Sequence, residues 1–274
     1  VLHRPGPGAF PKHFVAYATI LDGMRIDRPP PGPAAWQAAG AAATAAAALH
    51  IGPAGTWLPP VRRALFPGLD GQGHPGHIAL TFDDGPDRAS TPRFLDALDG
   101  LDVRATFFLL GAALAEAPEV GRDIVARGHE VGLHGWDHRR PWWPAPVREL
   151  RDLRRAVRAA TDICGVRPRW YRPPYGILTG GRWAAAHRLG LRTVLWSAWG
   201  RDWVAGAEAA TVVRTVERRL EGGATVLLHD SDRTSAPGSW RVTLQALPVL
   251  VQRCRRQGLT VGPLRDHGTD DTGW

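Results

Sequence analysis

The sequence predicts an α/β fold built on a parallel sheet, and three observations carry that prediction. From His77 to Val261, short β-branched or aromatic runs alternate with longer stretches of helical periodicity. Each cluster of reactive side chains directly follows one of the short runs. The composition, 44% hydrophobic with 12 Trp in 274 residues, supplies a core for one large domain, or for one domain and an appendage, and excludes global disorder. An open doubly wound sheet and a closed barrel both fit the alternation.

Residues 1–75 are expected to be a leader, residues 76–266 the domain, and residues 267–274 a short tail. Val1 to Arg28 shows no clear periodicity. Pro29 to Val61 contains no Asp, Glu, Lys or Arg, and Ala34 to Ile51 is mostly alanine. Arg25 and Arg28 before that run make a signal-peptide or signal-anchor pattern, which implies export or a membrane anchor. Alanine is barely apolar enough to insert, and Gln37, Thr44 and His50 weaken the run, so an ordinary soluble helix or a flexible leader is the alternative. Met24 offers a translation start ahead of the basic lead.

The first strand starts at Ile78, ends in the two adjacent carboxylates Asp83 and Asp84, and is broken by Gly85-Pro86. Thr91-Pro92 reads as an N-cap and first helical proline, with Phe94, Leu95 and Leu98 on one helical face. Ala105–Leu110 is the next strand, and Pro118 opens a helix that turns Val120, Ile124 and Val125 inward. Strand Glu130–Leu133 precedes a long helix from Pro146 to Ile163, whose Val147, Leu150, Leu153 and Val157 share a face. Strands at 170–172, 193–197, 225–229 and 259–261 alternate with helices at 182–189, 211–220 and 239–257.

The net charge of +8 comes almost wholly from arginine, Lys12 being the only lysine. Such a charge suits a polyanion or an anionic cell envelope, or is simply a solvated face. No nucleic-acid-binding motif is present, which argues against a nucleic-acid partner. Cys164 and Cys254 lack CxxC spacing and read as a disulfide or as two buried thiols.

Asp83 and Asp84 stand side by side at a strand end, where two carboxylates repel and a bound cation makes the pair tolerable. His134 and His138 are four apart, which places both imidazoles on one side if the turn is helical. Two His and one carboxylate form a common catalytic zinc set with an open position. The second Asp is then free as a general base. His229, delivered by the buried run Val226-Leu227-Leu228, suits a general acid for a departing amine. Arg172 and Tyr175, and Asp202 and Trp203, follow two other strands on the same edge.

These motifs resemble the NodB-type polysaccharide deacetylase family, carbohydrate esterase family 4. Thr81-Phe82-Asp83-Asp84, His134-Gly135-Trp136-Asp137-His138, Arg172-Pro173-Pro174-Tyr175-Gly176, Trp199-Gly200-Arg201-Asp202-Trp203 and Leu227-Leu228-His229 match its five motifs in order. Two positions depart from the pattern: Gly135 stands where Ser or Thr is usual, and Trp199 replaces the leading Asp of the fourth motif. The resemblance implies a distorted, partly open (β/α) barrel. It implies Asp83 as base oriented by Arg172, His229 as acid, and Asp84, His134 and His138 as ligands of a divalent metal, expected to be zinc. The Tyr175 N–H would face the oxyanion, and Asp202, Trp203 and Leu227 would contact substrate, Trp203 and Leu227 forming the acetyl pocket. The expected activity is metal-dependent removal of N-acetyl groups from a glycan or glycoconjugate. A deacylase of a small or lipid-linked molecule, and a weakly catalytic sugar-binding module, are the alternatives. The family's leading Asp tunes the catalytic His, so Trp199 implies either an acid working at lower pH or another carboxylate in that role, with Asp202, Asp230 and Asp232 the candidates. Trp136, Trp142, Trp143, Trp199, Trp203 and Trp240 are expected either to stack on sugars or to pack the barrel.

Overall fold

A computed structural model describes residues 32–66 and 68–268. Arg25, Arg28, Met24 and most of the expected tail lie outside the described residues. The chain divides into two compact units at Ala45. Helix α1 (Pro33–Ile51) crosses that division and buries no residue. The alanine run is a helix, and among the described residues no helix is long and apolar enough to cross a membrane. A second helix, α2 (Pro59–Leu65), follows it.

The larger unit is built on β1 (His77–Asp83), buried along its whole length. Its side chains alternate between two environments, as a pleated strand requires. Ile78, Leu80 and Phe82 join the main core under the helices, whereas Ala79 packs inside with Phe108, Trp170, Val194 and Leu264. Burial of a Phe82-sized side chain contributes roughly 1.5–3 kcal/mol. Then come α3 (Thr91–Gly100), β2 (Thr106–Leu109), α4 (Gly111–Glu116), α5 (Pro118–Ala126), β3 (Glu130–Leu133), α6 (Pro146–Cys164), β4 (Trp170–Tyr171), α7 (Gly180–Arg188), β5 (Arg192–Thr193), β6 (Ala198–Trp199), α8 (Ala209–Glu217), β7 (Thr225–His229), α9 (Ser239–Arg256) and β8 (Thr260–Gly262).

All pairings are parallel, in the order β5-β4-β3-β2-β1-β7-β6, with β8 on the first half of β1. That order forces curvature. β5 and β6 lie at opposite edges of the sheet, yet only four residues separate them. Such a link spans at most about 17 Å, so the sheet curls into a partly open barrel. The chain before β1 covers the gap: Leu195 N–H donates to Leu69 O (2.6 Å), Thr225 Oγ1 to Gly71 O (2.7 Å) and Gly73 N–H to Gly223 O (2.9 Å). Leu69 is buried with Leu178 and Leu195. Residues 69–73, assigned to the leader from sequence, therefore sit with the barrel.

Two other expectations change, and one left open is decided. The strand expected at 193–197 is instead the link between β5 and β6, with only Thr193 in a strand, because Leu195 bonds to Leu69 instead of continuing a ladder. Thr91 does not cap α3. The Asp87 carboxylate accepts the Ala89 and Ser90 N–H groups instead, and Ser90 occupies the cap position. Cys164 and Cys254 are both free thiols in the main core, where burial pushes each up to about 11.

Candidate active site

Because every strand runs the same way, the chain segments that follow β1, β3, β4, β6 and β7 gather at one rim. Asp83 ends β1 with its side chain inside the barrel, where Arg172 Nη1–H donates to Asp83 Oδ1 (2.8 Å) and to Thr81 Oγ1 (2.8 Å). Arg172 Nη2–H donates to Leu195 O (2.7 Å), and the guanidinium stacks on Phe108 at 4.0 Å. Burial raises Asp83, and the Arg172 charge opposes that rise.

Alternation would send Asp84 to the opposite face. Its backbone instead takes a left-handed conformation (φ 78°), a strained choice for a residue with a Cβ, and the side chain turns inward beside Asp83. Gly85 makes room: a Cβ there would sit 2.5 Å from Asp230 Oδ2. Asp84 Oδ2 accepts from the Thr234 hydroxyl, while Oδ1 is buried with no hydrogen-bond partner. Burial lifts Asp84 to about 6, with His229 and Thr234 pulling the other way.

His134 Nε2 and His138 Nε2 each lie 3.5 Å from that orphaned Oδ1. His134 Nδ1–H donates to Arg172 O (2.8 Å), which leaves Nε2 as the lone-pair nitrogen. Both imidazoles are held neutral by burial, His134 well below its ordinary value and His138 at about 3. The three residues bring their ligand atoms within 4.8 Å of one another. Two neutral imidazoles around an unpaired buried carboxylate oxygen is a donor set that fits a divalent cation. The segment from His134 to His138 is not helical; it bends through Gly135 at φ 96° to bring the rings to 5.1 Å. A glycine where the related pattern carries Ser or Thr suits that left-handed backbone.

Across the cleft, His229 Nδ1–H donates to Asp202 Oδ1 (3.0 Å), and Asp202 Oδ2 accepts from His229 N–H (2.8 Å) and Thr243 Oγ1 (2.7 Å). Asp202 is fully buried beneath His229 and does not line the cleft, where the sequence reading expected a substrate contact. Burial alone would pull His229 down, but the Asp202 ion pair and hydrogen bond outweigh it, with Asp84 and Asp83 adding to the rise, and bring it to about 9. Of the three carboxylates offered by the sequence as partners for His229, Asp202 is the one bonded to its ring.

The cleft above these groups holds about 450 Å³, a size suited to a small ligand or one or two rings of a larger one. Trp203, Leu227, Tyr175, Trp196 and Trp199 supply its apolar walls. Trp203 meets His229 edge-on at 5.3 Å. Tyr175 is another left-handed non-glycine residue (φ 61°), and its ring lies 4.2 Å from His138. The six singled-out tryptophans separate: Trp199 and Trp203 line the cleft, Trp142 and Trp143 are exposed, Trp136 is partly buried against the core, and Trp240 is in it. Sequence reasoning missed Thr234 and Thr243, because a lone threonine far along the chain carries no motif signal, and it quoted Thr81 in the first motif without giving it a role.

A family model described as polysaccharide deacetylase matches residues 70–194. A chitooligosaccharide deacetylase of Bradyrhizobium sp. (strain ANU 289) is 37% identical over 194 residues, which cover 68% of this chain and 88% of that protein. A peptidoglycan-N-acetylglucosamine deacetylase of Listeria monocytogenes is 36% identical over 58% of this chain, and that match spans 33% of the relative. The crystal structure of a family 4 carbohydrate esterase pseudoenzyme from Bacillus anthracis superposes with a TM-score of 0.65 at 26% identity, covering 72% of this chain and 67% of that one.

Proposed function

The chain belongs to the polysaccharide deacetylase family, carbohydrate esterase family 4, and we propose that it hydrolyses N-acetyl groups on amino sugars of a chitin-like or peptidoglycan-like glycan. One observation carries this reading: a base held by Arg172 and an acid held by Asp202 face one cleft across an unpaired carboxylate oxygen and two neutral imidazoles.

Asp84, His134 and His138 would hold a divalent cation, which we take to be zinc from the two-nitrogen donor set. When bound, it would supply Lewis acidity to the acetamide carbonyl and the attacking water. Asp83 accepts the proton of that water, and its raised pKa makes it a better acceptor than an ordinary carboxylate. Arg172 fixes which oxygen does so by occupying the other. We take the Tyr175 N–H to stabilise the oxyanion, and Trp203 and Leu227, which line the cleft, to receive the methyl group. His229, protonated through neutral pH, delivers its proton to the nitrogen as the C–N bond breaks, which leaves acetate and the free amine.

The test is an acetate-release screen over chitin oligomers, peptidoglycan and acetylxylan with added divalent metals. Release from an N-acetylated glycan, dependent on metal, is the expected result. Similarity to a pseudoenzyme keeps a second reading in view, a sugar-binding module without turnover; saturable binding with no acetate would establish it. Such glycans lie outside the cytoplasmic membrane, so we place the domain there, carried by the leader. Recovery of the full chain wholly in the cytosol would overturn that placement.

A further inference from the structure

Arg140 is the only arginine lining the cleft among the described residues. Its neighbours are committed: Arg139 pairs with Asp137, Arg182 bonds the carbonyls of Pro174, Ile177 and Arg139, and Arg172 holds Asp83. Arg140 instead lies between two aromatic faces, 4.5 Å from the Tyr175 ring centre and 5.7 Å from that of Trp142. Stacking uses the face of a guanidinium and leaves its in-plane N–H donors available, and a planar fork of donors matches a carboxylate. Among the described residues no carboxylate lies within salt-bridge distance of it, and the acids lining the cleft are Asp83 and Asp84, both in the centre already described. The Tyr175 ring contacts both His138 (4.2 Å) and Arg140 (4.5 Å), so this charge lies one aromatic ring out from the histidine pair.

We propose that Arg140 is a specificity residue that binds a carboxylate carried by the glycan next to the sugar being deacetylated. Acidic, peptidoglycan-like strands are then preferred over neutral chitin-like oligomers. This rests on the deacetylase reading above and names its substrate class.

The experiment compares the zinc-supplemented wild type, Arg140→Gln and Arg140→Lys on three probes: neutral N-acetylglucosamine oligomers, peptidoglycan strands with stem peptides, and the same strands with the peptides removed. In Arg140→Gln the ratio of kcat/KM for acidic over neutral substrate is expected to fall about tenfold, through KM. Arg140→Lys should regain part of it, and added salt should weaken the wild-type preference. Loss on one acidic strand but not the other identifies whether the sugar or the peptide supplies the carboxylate. A ratio unchanged within twofold, or a change confined to kcat, overturns the proposal while leaving the deacetylase reading intact. If the wild type releases no acetate from any probe, that reading fails, and calorimetry on the same strands still decides this one: Arg140→Gln should bind the acidic strands about tenfold more weakly, and equal binding would refute it.

Discussion

The barrel buries carboxylates at both ends and treats them differently. At the amino end, Glu130 opens β3 and both of its oxygens are engaged: Oε1 accepts from Trp170 Nε1 (3.0 Å), and Oε2 from Thr106 Oγ1 (2.7 Å) and the Arg265 N–H (3.0 Å). At the carboxyl rim, Asp84 leaves Oδ1 buried and unpaired between two neutral imidazoles. The same residue class thus stitches the fold at one end and keeps a buried oxygen unpaired at the other. This is the division of labour expected of a parallel barrel, stability below and chemistry above.

The strongest way to break the comparison is to remove a rim ligand. His138→Ala should lose metal and at least about a thousandfold in turnover, because a catalytic metal site needs its full ligand set. Circular dichroism should show the fold retained. Turnover and metal content that both survive would remove the site from that rim.

Next is truncation. Deleting residues 1–45 should leave stability and activity in place, since that unit ends before the barrel. Deleting residues 1–72 exposes the Leu69 pocket and unpairs Leu195 N–H and Thr225 Oγ1, which should cost about 3–5 kcal/mol in urea unfolding. Equal stability of the two truncations would mean that residues 69–73 merely rest on the barrel.

Opposite signs at the two ends sharpen the contrast further. Glu130→Ala strands three donors and should destabilise by about 2–4 kcal/mol, with activity per folded molecule unchanged. Asp84→Asn should do the reverse in metal-free protein. A carboxyl lifted from 3.8 to about 6 costs about 3 kcal/mol when ionised. Its folded value is raised, so its ionisation removes stability as pH rises from about 4 through 6. The variant's advantage in unfolding free energy should therefore grow across that window and hold above it. A pH-independent difference would show that Asp84 ionises freely.

The smallest shift concerns the acid. His229 must be protonated to act, so activity should fall as pH rises through about 9. Asp202→Asn removes the ion pair that outweighs burial, and the alkaline limb should move down by one to two pH units, while Trp199→Phe leaves it in place. A limb unmoved by Asp202→Asn would mean that another group supplies the proton.

Much of this was legible in the residues. The acids after β1, the paired histidines after β3 and the lone His at the end of β7 each follow an apolar run whose length and composition mark a buried strand, and parallel topology does the rest. Strands Glu130–Leu133 and Thr225–His229 come out at their expected bounds. What could not be read is what depends on partners distant in sequence. The apolar run at 193–197 looks like one strand until Leu69 is seen to take its N–H. Asp202 reads both as a rim contact and as a partner for His229, and nothing local decides between the two, since neither Arg201 at φ 52° just before it nor Thr243 reaching its carboxylate from α9 is visible in the sequence. Gly111–Glu116 is too short to show a period. Glu130 reads as a polar strand start, since its three donors come from β2, β4 and the chain after β8.

Zinc titration of metal-stripped protein, followed at once by calorimetry and by acetate release from N-acetylglucosamine oligomers, tests the central claim most directly. The wild type should take up one equivalent and gain activity in proportion to occupancy, and Asp84→Ala should do neither. Full activity in the metal-stripped protein, or equal zinc uptake by Asp84→Ala, would contradict the assignment of the unpaired rim oxygen as a metal ligand.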